Sequence, residues 1–260
     1  MTKKISYFAL LLSFLLSCKN DYEPKTHFLE KQKIDKIDSL ANRYLELNRL
    51  SGTILIAKDD TIIYNQSFGL ADYENEIPFS PKTSFKIGEI TKLITRDLIN
   101  RLVHEKKLSW SDTVSEYLGD IETGISVNDL INHNSDVDYT IAGRLIEKVT
   151  NRTYQENIEK YSETLELENT YFQKKDSFSA VGYLYHNYRG KGLELEKSPV
   201  YNLENAFSSK GLKSTGNDLI KILKSYPKQL NIYGYVYNDG FSYSIVNDIE
   251  NKISIVVLSN

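Results

Sequence analysis

Phe85-Lys-Ile-Gly-Glu-Ile-Thr-Lys92 is the stretch on which the reading of the fold turns. From Thr91 to Glu105 the apolar residues Ile94, Leu98, Leu102 and Val103 recur at helical spacing, so the octapeptide opens an amphipathic helix. Glu89 stands at its start, where a carboxylate suits the positive end of the helix dipole. Lys92 follows three residues later, close enough for a surface ion pair with Glu89. That pair is the plain structural account of both residues.

Upstream, Ile34, Ile37, Leu40, Ala41, Tyr44 and Leu45 give Phe28–Leu47 the pattern of another amphipathic helix. Gly52–Ala57 and Thr61–Tyr64 are β-rich runs around Asp59-Asp60 and predict a hairpin. Downstream, helices are predicted over Val114–Leu118, Val127–Ile131, Tyr139–Val149 and Tyr154–Tyr161. Residues 165–210 read as loop-rich. Thr215 or Asn217 caps a helix running to Leu223. Ile232–Tyr237, Phe241–Asp248 and Ile253–Leu258 then alternate as strands. Strands, helices and strands again predict a mixed α/β (α+β) domain. Its N- and C-terminal strands share one antiparallel sheet flanked by helices, with a reduced, mainly helical lobe between them.

The 260 residues are 40% hydrophobic and 26% charged, with a net charge of −3. This is an ordinary globular balance with no basic footprint for nucleic acid. Lys3 and Lys4 precede an apolar stretch, Ile5–Leu16, which is shorter than the roughly 20 residues a spanning helix needs. It ends in Leu15-Leu16-Ser17-Cys18, similar to a bacterial lipobox. Residues 1–17 are therefore expected to be a signal peptide, Cys18 the lipidated residue, 18–27 a tether and 28–260 the folded domain. Lys19-Asn-Asp-Tyr-Glu23 resembles the tag that follows the Cys in Bacteroidetes surface lipoproteins. The expected location is the cell envelope of a Gram-negative bacterium, lipid-anchored at the outer membrane or in the periplasm, with the membrane as a partner. Cys18 is the chain's one cysteine, which excludes a disulfide framework. His27, His104, His133 and His186 lack metal-ligand spacing, so neither metal nor cofactor is expected.

The frame around the opening octapeptide resembles the helix start that carries Ser-x-x-Lys in serine β-lactamases, penicillin-binding proteins and their esterase relatives. Further segments follow in the family's order. Ser51–Lys58 and Phe68-Gly-Leu-Ala-Asp72 look like its first hairpin. Lys107–Asp112, Asp129-Leu-Ile-Asn-His-Asn-Ser135 and Gly143–Val149 resemble its middle segments. Ser208–Leu219 resembles its Gly-Gly-Leu-x-Ser-Thr-x-x-Asp-Leu segment, and Gly240-Phe241 and Val256–Asn260 its last strands. The resemblance, class C-like, runs from about residue 50 onward and implies a β-lactamase/transpeptidase-like fold.

The catalytic positions depart from the pattern. Glu89 replaces the nucleophilic Ser, while Lys92 is kept. The Tyr-x-Asn triplet becomes Asn134-Ser135-Asp136, and the third motif falls near Gly234-Tyr235-Val236. A closing C-terminal helix, usual in the family, does not follow Asn260. Glu89 attacking an acyl group would give a mixed anhydride, and Asn134 cannot exchange protons as a phenol does. The resemblance therefore implies a pseudoenzyme that binds or scaffolds. Two other readings stay open. One is a residual hydrolase pooling Glu89, Lys92 and Asp136 to activate water on an envelope peptide, ester or glycan; the other is a shortened gene product. Tyr233, Tyr235 and Tyr237 alternate along one strand and are candidate ligand-facing residues for a peptidoglycan, peptide or glycan, or else a half-buried sheet face.

Overall fold

The computed structural model describes residues 31–47, 49–59, 61–121, 124–172, 178–187, 193–199, 206–226 and 232–260. The expected signal segment, Cys18 and the 18–27 tether lie outside the described residues. Among the described residues no helix is long and apolar enough to cross a membrane.

The order begins with helix α1 (Lys31–Glu46), strands β1 (Gly52–Lys58), β2 (Thr61–Phe68), β3 (Leu70–Asp72), β4 (Ile77–Pro78) and β5 (Phe85–Lys86). Helices α2 (Ile90–His104), α3 (Val114–Tyr117), α4 (Val127–His133), α5 (Asp136–Thr150) and α6 (Tyr154–Thr164) follow. Next come β6 (Tyr171–Phe172), β7 (Tyr183–Asn187), β8 (Leu193–Lys197), α7 (Phe207–Lys210), β9 (Leu212–Ser214) and α8 (Gly216–Ser225). The chain returns to the sheet with β10 (Ile232–Asn238), β11 (Phe241–Asp248) and β12 (Ile253–Ser259).

The main sheet has the antiparallel order β10-β11-β12-β1-β2. N-terminal β1 thus pairs directly with C-terminal β12, Gly52 opposite Ser259 and Lys58 opposite Ile253. Leu55, Val256 and Ile245 stand side by side across three strands and are all buried. Helix α8 covers that face, while α1 lies against β2, where the Tyr64 hydroxyl donates to Asp38 at 2.5 Å.

Strand β2 runs to Phe68, past the expected Tyr64. Its outer half, Asn65-Gln-Ser67, is exposed and polar because β2 is an edge strand, so no apolar alternation marks it in sequence. Helix α5 starts at Asp136, three residues earlier than its apolar residues suggest, because Ser135 caps it through the Asp138 amide. The loop-rich 165–210 span holds a short hairpin, β7–β8, and the single-turn α7. Thr215 is the cap of α8, as expected.

The second lobe is knit by hydroxyls around α2. Thr95 Oγ1 donates to the Ser208 carbonyl at 2.6 Å and meets the Tyr154 hydroxyl at 2.7 Å. Ser208 Oγ donates to the Tyr139 carbonyl at 2.7 Å. A Cβ on Gly143 would fall 2.2 Å from Ser208 Oγ, so only glycine lets α7 approach α5 this closely. These ties seat Lys210, at the end of α7, beside the start of α2.

Candidate functional site

The first turn of α2 is wound tightly. The Ile90, Thr91 and Lys92 amides donate back to the Ile87, Gly88 and Glu89 carbonyls at 3.0, 2.9 and 3.0 Å. Glu89 is the N-cap residue, but its side chain makes no capping hydrogen bond. Its amide donates instead to the Tyr243 hydroxyl on β11 at 2.7 Å. Gly88 (φ +47°) lets that hydroxyl in, because a Cβ there would lie 2.4 Å from it. Tyr243 is only 3% exposed. Burial pushes its phenol up, so it stays protonated.

Lys92 is 7% exposed and does not form the expected surface pair with Glu89. It turns inward from the buried helix to the corner between α4 and α5. There it donates to the Asn134 carbonyl at 2.9 Å and lies 3.0 Å from Asp136 Oδ1. The carboxylate contact is ionic rather than directional, since Asp136 Oδ1 accepts no aligned hydrogen bond. The Lys92 ammonium also lies 5.6 Å from the Tyr139 ring centre. That phenol offers its face only, because its hydroxyl donates to the Ile131 carbonyl at 3.3 Å.

The Asn134-Ser135-Asp136 triplet forms a helix–helix corner. Asn134 closes α4 in the left-handed region (φ 58°), a conformation Asn tolerates. Ser135 then opens α5, and Asp136 is its first residue. Asn134 therefore contributes a carbonyl to the site, while its residue as a whole is exposed. His133, just before it, is exposed rather than buried, with Nδ1 4.0 Å from Asp138.

Sequence reasoning missed Lys210. Its ammonium contacts Asp136 Oδ2 at 2.6 Å and stands 4.0 Å from Glu89 Oε1. It bridges the two carboxylates and clamps Asp136 between two lysines. A signal existed: Lys210 stands at the first glycine position of the Gly-Gly-Leu pattern. Partial burial pushes the Asp136 carboxyl up, but the close Lys210 contact and the charge of both lysines outweigh it and hold it below the usual range. Lys210 is raised, chiefly by its hydrogen bond to Asp136. Lys92 and Lys210 are thus paired ammoniums, and neither is a free amine base.

In register, Tyr233, Tyr235 and Tyr237 stand opposite Val246, Ser244 and Ser242. Tyr243, which reaches the site, stands opposite Val236 instead. The tyrosine side chains on β10 lie outside the described residues. Among the described residues no group of three or more His, Cys, Asp or Glu is placed to hold a metal ion.

Residues 37–140 match the Beta-lactamase family model. A teichoic acid D-alanine hydrolase of Staphylococcus aureus (strain MRSA252) is 25% identical over an alignment of 231 residues that covers 74% of this chain and 57% of that protein. The chain thus spans little more than half the length of the curated relatives it matches. The crystal structure of FmtA from Staphylococcus aureus superposes with a TM-score of 0.73 at 20% identity, covering 88% of this chain and 85% of that one. A class C β-lactamase superposes with a TM-score of 0.72 at 16% identity, covering 90% and 93%. The match to the Beta-lactamase family model thus covers residues 37–140, and the superpositions show that the chain has the fold of serine β-lactamases and penicillin-binding proteins.

Proposed function

We propose that this chain is a cell-envelope lipoprotein, anchored through Cys18, that binds or scaffolds rather than hydrolyses. One observation carries the reading. The Lys92 ammonium, which would have to be a free amine to serve as base, is ion-paired to Asp136 at 3.0 Å behind a glutamate at the nucleophile position. A protonated, paired lysine accepts no proton, and Glu89 has no hydroxyl to lose. The ligand class is an envelope peptide, ester or glycan, an assignment supported by the likeness to the staphylococcal hydrolases that act on D-alanylated teichoic acid.

A second reading, a residual hydrolase, has one observation in its favour. Glu89, Asp136 and Lys92 do converge, joined by Lys210, and the Glu89 side chain is 40% exposed. The lowered pKa of Asp136 counts against it, because a weakly basic carboxylate is a poor acceptor for a proton from water. Purified protein is expected to take no label from a fluorescent penicillin and to leave chromogenic β-lactams, p-nitrophenyl esters and D-alanyl esters intact. Covalent label on any Ser would overturn the binding role; turnover that Glu89→Gln abolishes would establish the hydrolase. Palmitate incorporation in cells, lost in Cys18→Ala, tests the anchor.

A further inference from the structure

In an acyl-transfer site the developing oxyanion needs a preorganised donor, and a backbone N–H at a helix start beside the nucleophile is suited to that role at about 2.7–3.1 Å. In the turn that opens α2, the amides of residues 90–92 are spent on the turn's own carbonyls, and the Glu89 amide alone is turned toward a side chain. The Tyr243 hydroxyl sits on it at 2.7 Å, at the distance an oxyanion oxygen would take. Tyr243 arrives from β11, across a gap of 154 residues in sequence, and Gly88 has no side chain to keep it out. Three residues on, Lys92 is held by Asp136 at 3.0 Å.

We propose that the Tyr243 hydroxyl is a resident occupant of the oxyanion position, so that the site is closed by its own strand as well as by the loss of serine. This rests on the pseudoenzyme reading and deepens it. Donor and base each carry an internal partner, Tyr243 for the Glu89 amide and Asp136 for Lys92. Restoring serine at position 89 therefore does not by itself restore acylation.

Two measurements test it. Amide exchange at Glu89, followed by NMR, is slow in the native protein. In Tyr243→Phe it speeds by up to about tenfold, the loss of one net hydrogen bond, while Thr91 and Lys92 keep their rates. An unchanged Glu89 rate overturns the inference. The second compares fluorescent-penicillin labelling of E89S/D136N with E89S/D136N/Y243A. Label is expected on the triple variant alone. Equal labelling of both, or none on a triple variant that still melts cooperatively, overturns it. Labelling of the native protein would instead sink the binding role, so the two failures are distinguishable.

Discussion

Two aspartates open helices in this molecule, and they are satisfied in opposite ways. Asp218, in the first turn of α8, is 2% exposed and accepts only neutral donors. These are the Glu168 amide at 3.2 Å, the Asn169 amide at 2.7 Å and the Thr170 hydroxyl at 2.9 Å. Asp136, the first residue of α5, has a side chain 39% exposed and sits between the Lys92 and Lys210 ammoniums. Three consecutive residues of one turn, 48 to 50 positions before Asp218, supply its neutral donors and tie that turn to α8, so Asp218 is a joint between two segments. Asp136 instead draws cations from two separate helices, α2 and α7. The same contrast separates a carboxylate held by neutral donors from one paired with two lysines.

The largest effect should fall on the joint. Asp218→Ala strands two part-buried amides and a buried hydroxyl and should cost about 3 kcal/mol in urea unfolding. A loss smaller than that of Asp136→Ala would break the comparison. Asp136→Ala should cost about 2 kcal/mol, less than the 3–5 of a fully buried pair, because solvent screens the partly exposed carboxylate. Combined with Lys92→Met, the loss should be largely recovered, since the buried Lys92 ammonium is then gone and Lys210 keeps its solvent exposure and its contact with Glu89. An additive double mutant would show that Lys92 does not depend on Asp136.

The pH dependence sharpens the contrast further. Asp136 has its folded pKa lowered. Its contribution is therefore complete above the unfolded value of about 3.9 and is lost as pH falls through the lower folded value. Lys210 is raised, so its share is complete below about 10.4 and lost as pH climbs through the higher folded value. Stability measured against pH should lose part of its acid limb in Asp136→Asn; an unchanged acid limb would assign that limb to other carboxylates. The smallest effect belongs to Glu89. Its contact with Lys210 is long, 4.0 Å, and open to solvent, so Glu89→Ala should shift stability by less than about 0.5 kcal/mol. A larger loss would make Glu89 structural rather than a vestige of the site.

Much of the fold was legible in the sequence because its signals are local. Ile94, Leu98 and Leu102 mark the buried face of α2, Thr215 caps α8, and alternation marks β11 and β12. The edge strand β2 was only half legible, since an exposed edge needs no apolar alternation. Glu89, Lys92, Asn134 and Asp136 were legible as positions, because the family pattern places them in order. Their partners were not. Lys92 was assigned to Glu89, its neighbour on an isolated helix, yet burial turned it to a corner 42 residues away.

By itself, then, the sequence determined the main helices and sheet strands, their order and a glutamate at position 89, because periodicity, caps and motif spacing act over a few residues. Only the tertiary structure decided that Lys210 would bridge Asp136 and Glu89 and that Tyr243 would sit on the Glu89 amide. Those pairings span 74 and 154 residues, respectively, from Asp136 to Lys210 and from Glu89 to Tyr243. Charge and hydrogen bonding select a partner by distance in space, and that distance exists only once β11 and α7 have packed against the start of α2.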